Sequence, residues 1–82
     1  MEPRRNQDPA RVRRKRIEAG LSQIALAAMA ELSPAHMSSI ERRGRSGRGA
    51  SPKVLARLAD ALGCEISELM PPEPTTVSAS TA

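Results

Sequence analysis

The chain has no phenylalanine, tryptophan or tyrosine, one cysteine and one histidine. Without aromatics, the core must be built from Leu, Ile, Val, Met and Ala. One cysteine excludes an internal disulfide. With a single histidine beside it, a structural zinc site, which takes four such ligands, is disfavoured. A lone thiol fits a reducing cytosol. No apolar run approaches the roughly 20 residues of a membrane span. The opening MEPRRNQ lacks the apolar stretch of a signal peptide. These absences predict one small cytoplasmic domain. At 82 residues its core is marginal, and pairing with a second copy would help it.

What is abundant is arginine, and it is unevenly placed. Residues 1–48 hold eleven Arg and Lys against five Asp and Glu, a net of +6, and ten of the eleven are arginine. Residues 49–82 hold two against four, a net of −2. A planar guanidinium suits bidentate contact with phosphate or carboxylate, so a polyanionic partner is expected. The bland alternative is a solvated, solubilising face.

Three serine- or aspartate-proline pairs punctuate the chain. Asp8-Pro9, Ser33-Pro34 and Ser51-Pro52 each read as a helix cap followed by the first helical residue, where proline is pre-set. They predict helices over about 9–19, 34–42 and 52–62, with Gly20 and Gly63 as stops after the first and last. Ser22 caps another helix from Gln23 to about Ala30, its inner face Leu26, Ala27 and Ala30. In "SPAHMSSIERR", residues 33–43, Met37 and Ile40 point one way. Ala35, Ser38, Ser39 and Arg42 point the other. Leu55, Leu58, Ala59 and Leu62 share a face. Cys64, Ile66 and Leu69 fit a short fifth helix before Pro71-Pro72. Residues 1–7 read as a flexible basic arm, 8–70 as the domain, 43–50 (RGRSGRGA) as a loop and 71–82 as a disordered tail. The expected fold is all-α, a compact bundle of five helices.

Two short helices joined by a three- or four-residue turn form a helix-turn-helix unit, here 22–42, whose second helix can enter the DNA major groove. On pattern alone many helix pairs look like this. The stretch 12–70, about seven-tenths of the chain, adds more. With its "VRRKRIEAGLSQ", "LAAMAELS", "MSSIERR" and "LARLADALGCEISELM" it resembles the lambda-repressor-like helix-turn-helix family of phage repressors, Cro proteins and small bacterial regulators. The resemblance implies a five-helix globule that binds double-stranded DNA as a homodimer. This chain departs from the family twice. Glu31 stands where the turn usually has glycine, which implies a left-handed, slightly strained residue or a different turn. The loop "RRGRSGRG" is longer and richer in arginine.

The resemblance also assigns roles. Gln23, at the start of the second helix, matches a glutamine that hydrogen-bonds a DNA phosphate; alternatively it is a surface residue after a cap. Arg16 and Glu41 match a pair that ties the first helix to the end of the third; alternatively they are independent surface charges. Ser33, Pro34, Ala35, His36, Ser38, Ser39 and Arg42 form the candidate DNA face. Arg43, Arg45 and Arg48 extend it into the loop. Cys64 matches a small apolar packing position. Met29 and Met70 fit either core or dimer surface, and Ile24 falls outside the core.

That face reads bases poorly. Ala35 can touch a thymine methyl, Ser38 and Ser39 discriminate weakly, and Arg42 lies at the far end, where phosphates are met. Preference would then come from Arg45 and Arg48, or from Arg4 and Arg5 on the arm, reading groove width. His36, Ser38, Ser39 and Glu41 contain the residue types of a hydrolase. On one short helix they diverge, with no second element to supply an oxyanion site, so no enzyme is expected. No cofactor, metal or ligand-sensing domain is implied. The expected function is a transcriptional regulator, bacterial or phage-encoded, cytoplasmic and nucleoid-associated when bound. The rival is a protein-interaction or antitoxin-like module on the same scaffold.

Overall fold

A computed structural model describes residues 6–42 and 49–72. Arg4, Arg5, Arg43, Arg45 and Arg48 lie outside the described residues, as does most of the 71–82 segment. Four α-helices follow one another: α1 (Pro9–Glu18), α2 (Gln23–Met29), α3 (Pro34–Glu41) and α4 (Pro52–Leu62). A single 3-10 turn, Ile66–Leu69, closes the order. The expected fifth helix is therefore not an α-helix. Only four residues separate its cap at Glu65 from Met70, and they close with i→i+3 bonds, Glu68 N–H to Glu65 O at 3.0 Å and Met70 N–H to Ser67 O at 3.3 Å. That is the length at which the tighter helix is used. No strand occurs among the described residues.

Each α-helix starts on a side chain that takes up an orphan amide. The Asp8 carboxylate accepts from Ala10 and Arg11, and Ser22, Ser33 and Ser51 accept from Ala25, His36 and Val54. Three helices also end alike. Gly20, Glu31 and Gly63 are left-handed, with φ of 75°, 61° and 67°. After each, two amides fold back: Gly20 and Leu21 onto Ile17 and Arg16, Glu31 and Leu32 onto Ala28 and Ala27, Gly63 and Cys64 onto Asp60 and Ala59. This is the Schellman arrangement, which seats an apolar residue just past the left-handed one. Leu21, Leu32 and Cys64 fill that role, each packed against the core. Burial pushes the Cys64 thiol above its ordinary pKa, as expected of a packing residue rather than a reactive one.

The core is wholly aliphatic. Val12 from α1, Leu26, Ala27 and Ala30 from α2 and its end, Met37 and Ile40 from α3, Leu55, Leu58 and Ala59 from α4, and Leu69 are buried. α3 packs on both α1 and α2, while α4 and the 3-10 turn brace the other sides of α2 and α1. Ile66, grouped with the core by its spacing, is exposed, as are Met29 and Met70. The 3-10 turn has only one side to bury, and Leu69 occupies it.

Gln7, placed at the end of a flexible arm by its polar surroundings, is fully buried. Its Nε2 donates to the Ile40 carbonyl at 3.1 Å, and its Oε1 accepts from the Ala50 amide at 2.9 Å. Asn6 Nδ2 donates to the Ala50 carbonyl at 2.9 Å. One amide thus joins the end of α3 to the segment entering α4, satisfying two backbone groups that neither helix serves. At the other end, Asp8 N–H donates to the Leu69 carbonyl at 2.8 Å, and Lys15 pairs with Glu68 at 2.8 Å.

Candidate nucleic-acid interface

The outward side of α3 is composed as its periodicity predicts. Met37 and Ile40 are fully buried, Ala35 and Arg42 are exposed, and Ser38 and Ser39 are half-buried between them. Ser33 and Pro34 at the start of α3 are exposed. Arg42 is the first residue past the helix and has extended backbone, φ −77° and ψ 132°. His36 faces Gly49, its Nε2 3.2 Å from the Gly49 carbonyl, and so ties the first turn of α3 to the short segment leading into α4.

Behind this face lies a fork-to-fork ion pair. Arg16 Nε and Nη2 donate to Glu41 Oε2 and Oε1 at 2.6 and 3.0 Å, and Nη1 donates to the Leu21 carbonyl at 2.8 Å. The side chains are only 12% and 3% exposed. The Glu41 hydrogen bonds hold the Arg16 guanidinium above its ordinary pKa against the opposing effect of burial. Gln23 adds a further donor, its Nε2 3.1 Å from Glu41 Oε1. Glu41 therefore accepts three hydrogen bonds and pins three elements together: α1 by Arg16, α2 by Gln23 and its own α3.

The Gln23 contact qualifies the role implied by resemblance. A carboxylate only accepts, so the amide nitrogen of Gln23 must face Glu41, leaving one N–H for an external acceptor. Gln23, Ser38 and Arg42, with Arg13 and the edge of Glu41, line a shallow polar hollow beside α3. Arg13 was not among the residues singled out by sequence pattern. The available signal was spacing: Arg13 lies three residues before Arg16, one turn along the same side of α1.

His36, Ser38, Ser39 and Glu41 do not converge. Glu41 is turned into the ion pair, and His36 is turned toward Gly49. Among the described residues, no group of His, Cys, Asp and Glu could hold a metal ion, and no helix is long and apolar enough to cross a membrane.

A capped four-residue turn, residues 30–33, joining two short helices, with the second presenting its outer side, is the architecture of a helix-turn-helix. The family model described as helix-turn-helix matches residues 12–69. The chain belongs to this family of DNA-binding transcription regulators, in its Cro and C1 type. Among solved structures, it is similar to the restriction-modification controller protein C.AhdI from Aeromonas hydrophila. The identity is 34% and the TM-score 0.67, over 76% of this chain and 89% of that one. It is also similar to the hypothetical transcription factor NHTF from Neisseria, at 25% identity and a TM-score of 0.60, over 87% of this chain and 88% of that one. Comparison with curated proteins gave no match.

Proposed function

We propose that the chain is a sequence-preferring regulator that binds double-stranded DNA as a homodimer, with α3 in the major groove and arginines on the phosphates. The observation that carries this reading is the bracing of α3. Its apolar side is sealed in the core, while the Arg16–Glu41–Gln23 cluster holds its end against α1 and α2. A rigid helix with small outer side chains can sit deep in a groove, and the charge for phosphates stands around it. Gln23, Ser33, Pro34, Ala35, His36, Ser38, Ser39 and Arg42 form the contact face. Arg43, Arg45 and Arg48, with Arg4 and Arg5 on the arm, extend it. The similarity to a restriction-modification controller favours a small cytoplasmic regulator of such a locus over one of a phage, plasmid or toxin–antitoxin locus.

The test is a salt titration of binding to DNA recovered by genome-wide site selection. If about six arginines meet phosphates, log affinity falls against log salt with a slope near −5 per site. A slope near zero removes the DNA reading. It would leave the protein-interaction alternative, which one observation favours: Ile24 on α2 is 70% exposed, an apolar handle beside the same scaffold. That alternative also predicts no retention on heparin.

A further inference from the structure

Five basic residues lie on α1, and four of them are occupied. Arg11 donates to the Met70 carbonyl at 3.0 Å, Arg14 pairs with Glu18 at 3.0 Å, Lys15 pairs with Glu68 at 2.8 Å, and Arg16 pairs with Glu41. Arg13 has no hydrogen bond or ion pair among the described residues, although it is exposed and lines the hollow with Gln23, Ser38 and Arg42. The one acid at the hollow's edge, Glu41, does not compete for Arg13, because Arg16 and Gln23 already occupy its two oxygens.

We infer that Arg13 binds a DNA phosphate in this hollow. The hollow brings together a guanidinium without a partner among the described residues, a hydroxyl from Ser38 and the remaining amide N–H of Gln23, with Arg42 also lining it. A phosphodiester oxygen accepts from each of these, and the planar fork of arginine matches two of its oxygens at once. The ion pair behind the site has a second consequence here. By neutralising Glu41 it leaves the charge of Arg13 uncancelled by the one acid at the hollow's edge. α1 thereby becomes a backbone clamp that fixes the register of α3 rather than only a support for it.

The proposal rests on the DNA-binding reading, and its test separates the two. Binding of the full chain to its selected duplex is measured by anisotropy at several salt concentrations for the wild type, Arg13→Ala, Arg13→Lys and Arg14→Ala. Each variant is first checked for wild-type helicity. Arg14→Ala removes the same charge from the next position of the same helix and is the control. One lost phosphate contact reduces the salt slope by about 0.9 per subunit, which at 0.1 M salt weakens binding about eightfold. Arg13→Ala is expected to do this and Arg14→Ala is not. Arg13→Lys should keep the slope while binding severalfold more weakly, having charge without the fork. Single methylphosphonate linkages then locate the phosphate. At one position the wild type loses affinity and Arg13→Ala loses none further. Equal weakening by Arg13→Ala and Arg14→Ala, or additive losses at every methylphosphonate position, overturns the Arg13 assignment while leaving DNA binding intact. A wild type without salt-dependent binding overturns both.

Discussion

At the scale of single residues, Glu41 and Arg16 each make three side-chain hydrogen bonds, and Glu41 is the one that joins three helices. It is nearly buried, and its carboxylate is shared by α1 and α2. Removing one partner of such a pair strands the other charge, a loss of roughly 3–5 kcal/mol. Glu18 also meets an arginine, but that pair is open to water and is worth less than about 1 kcal/mol. Glu41→Ala should therefore lower the urea midpoint far more than Glu18→Ala, followed by circular dichroism because the chain has no aromatic fluorophore. Equal midpoints would show that the pair is not structural. Glu31 presents the opposite case. It holds φ at 61°, where an L side chain is strained by roughly 1–2 kcal/mol. Its 3.9 Å approach to Arg57 on the surface offsets little of that. Glu31→Gly should stabilise the fold by up to about 1 kcal/mol, after glycine's larger loss of chain entropy. A lower midpoint would mean that the Glu31 side chain contributes more than its exposed ion pair accounts for.

At the scale of elements, the helix starts were legible because capping is local. A serine or aspartate before proline meets its own helix within three residues and needs nothing from the rest of the fold. The ends at Gly20 and Gly63 were legible for the same reason, and the family comparison pointed to Glu31. Gln7 was not legible. Nothing in MEPRRNQ distinguishes a buried amide from a solvated one, because its partners at Ile40 and Ala50 lie 33 and 43 residues away. Replacing Gln7 by Ala leaves one buried carbonyl and one buried amide without partners, at roughly 1–3 kcal/mol each before water enters. Gln7→Ala should thus lower stability by at least about 1 kcal/mol, and hydrogen exchange should quicken at the Ala50 amide in particular. Unchanged exchange there would mean that the bridge is not formed in solution.

At the scale of the whole molecule, one small domain offers few base contacts, and the outer side of α3 is made of short side chains. Two copies on half-sites about one helical turn apart, ~10 bp, would supply what one cannot. Sedimentation is expected to show a dimer on the selected DNA, and a monomer both free and bound would count against this. Within that complex, the double change Arg45→Ala, Arg48→Ala should weaken binding to the preferred site more than to random duplex, and Ser38→Ala should alter preference less. Uniform weakening by the loop variant, together with relaxed preference in the serine variant, would return specificity to α3.

The sequence by itself determined what depends on near neighbours and on periodicity. This covers where each α-helix begins, which side of α3 carries Met37 and Ile40, and that the core would be aliphatic. Caps act within one turn, and a 3.6-residue repeat is read without knowing what the apolar side meets. The resemblance added Arg16 and Glu41 as a pair, 25 residues apart, which no local rule could have joined. Only the tertiary structure decided that Gln23 turns its amide to Glu41, that Gln7 is buried, and that of five bases on one helix Arg13 alone is unpartnered among the described residues. Those outcomes depend on how α1, α2 and α3 converge. A polar side chain's partner is set by distances in space, and a pattern along the chain does not contain them.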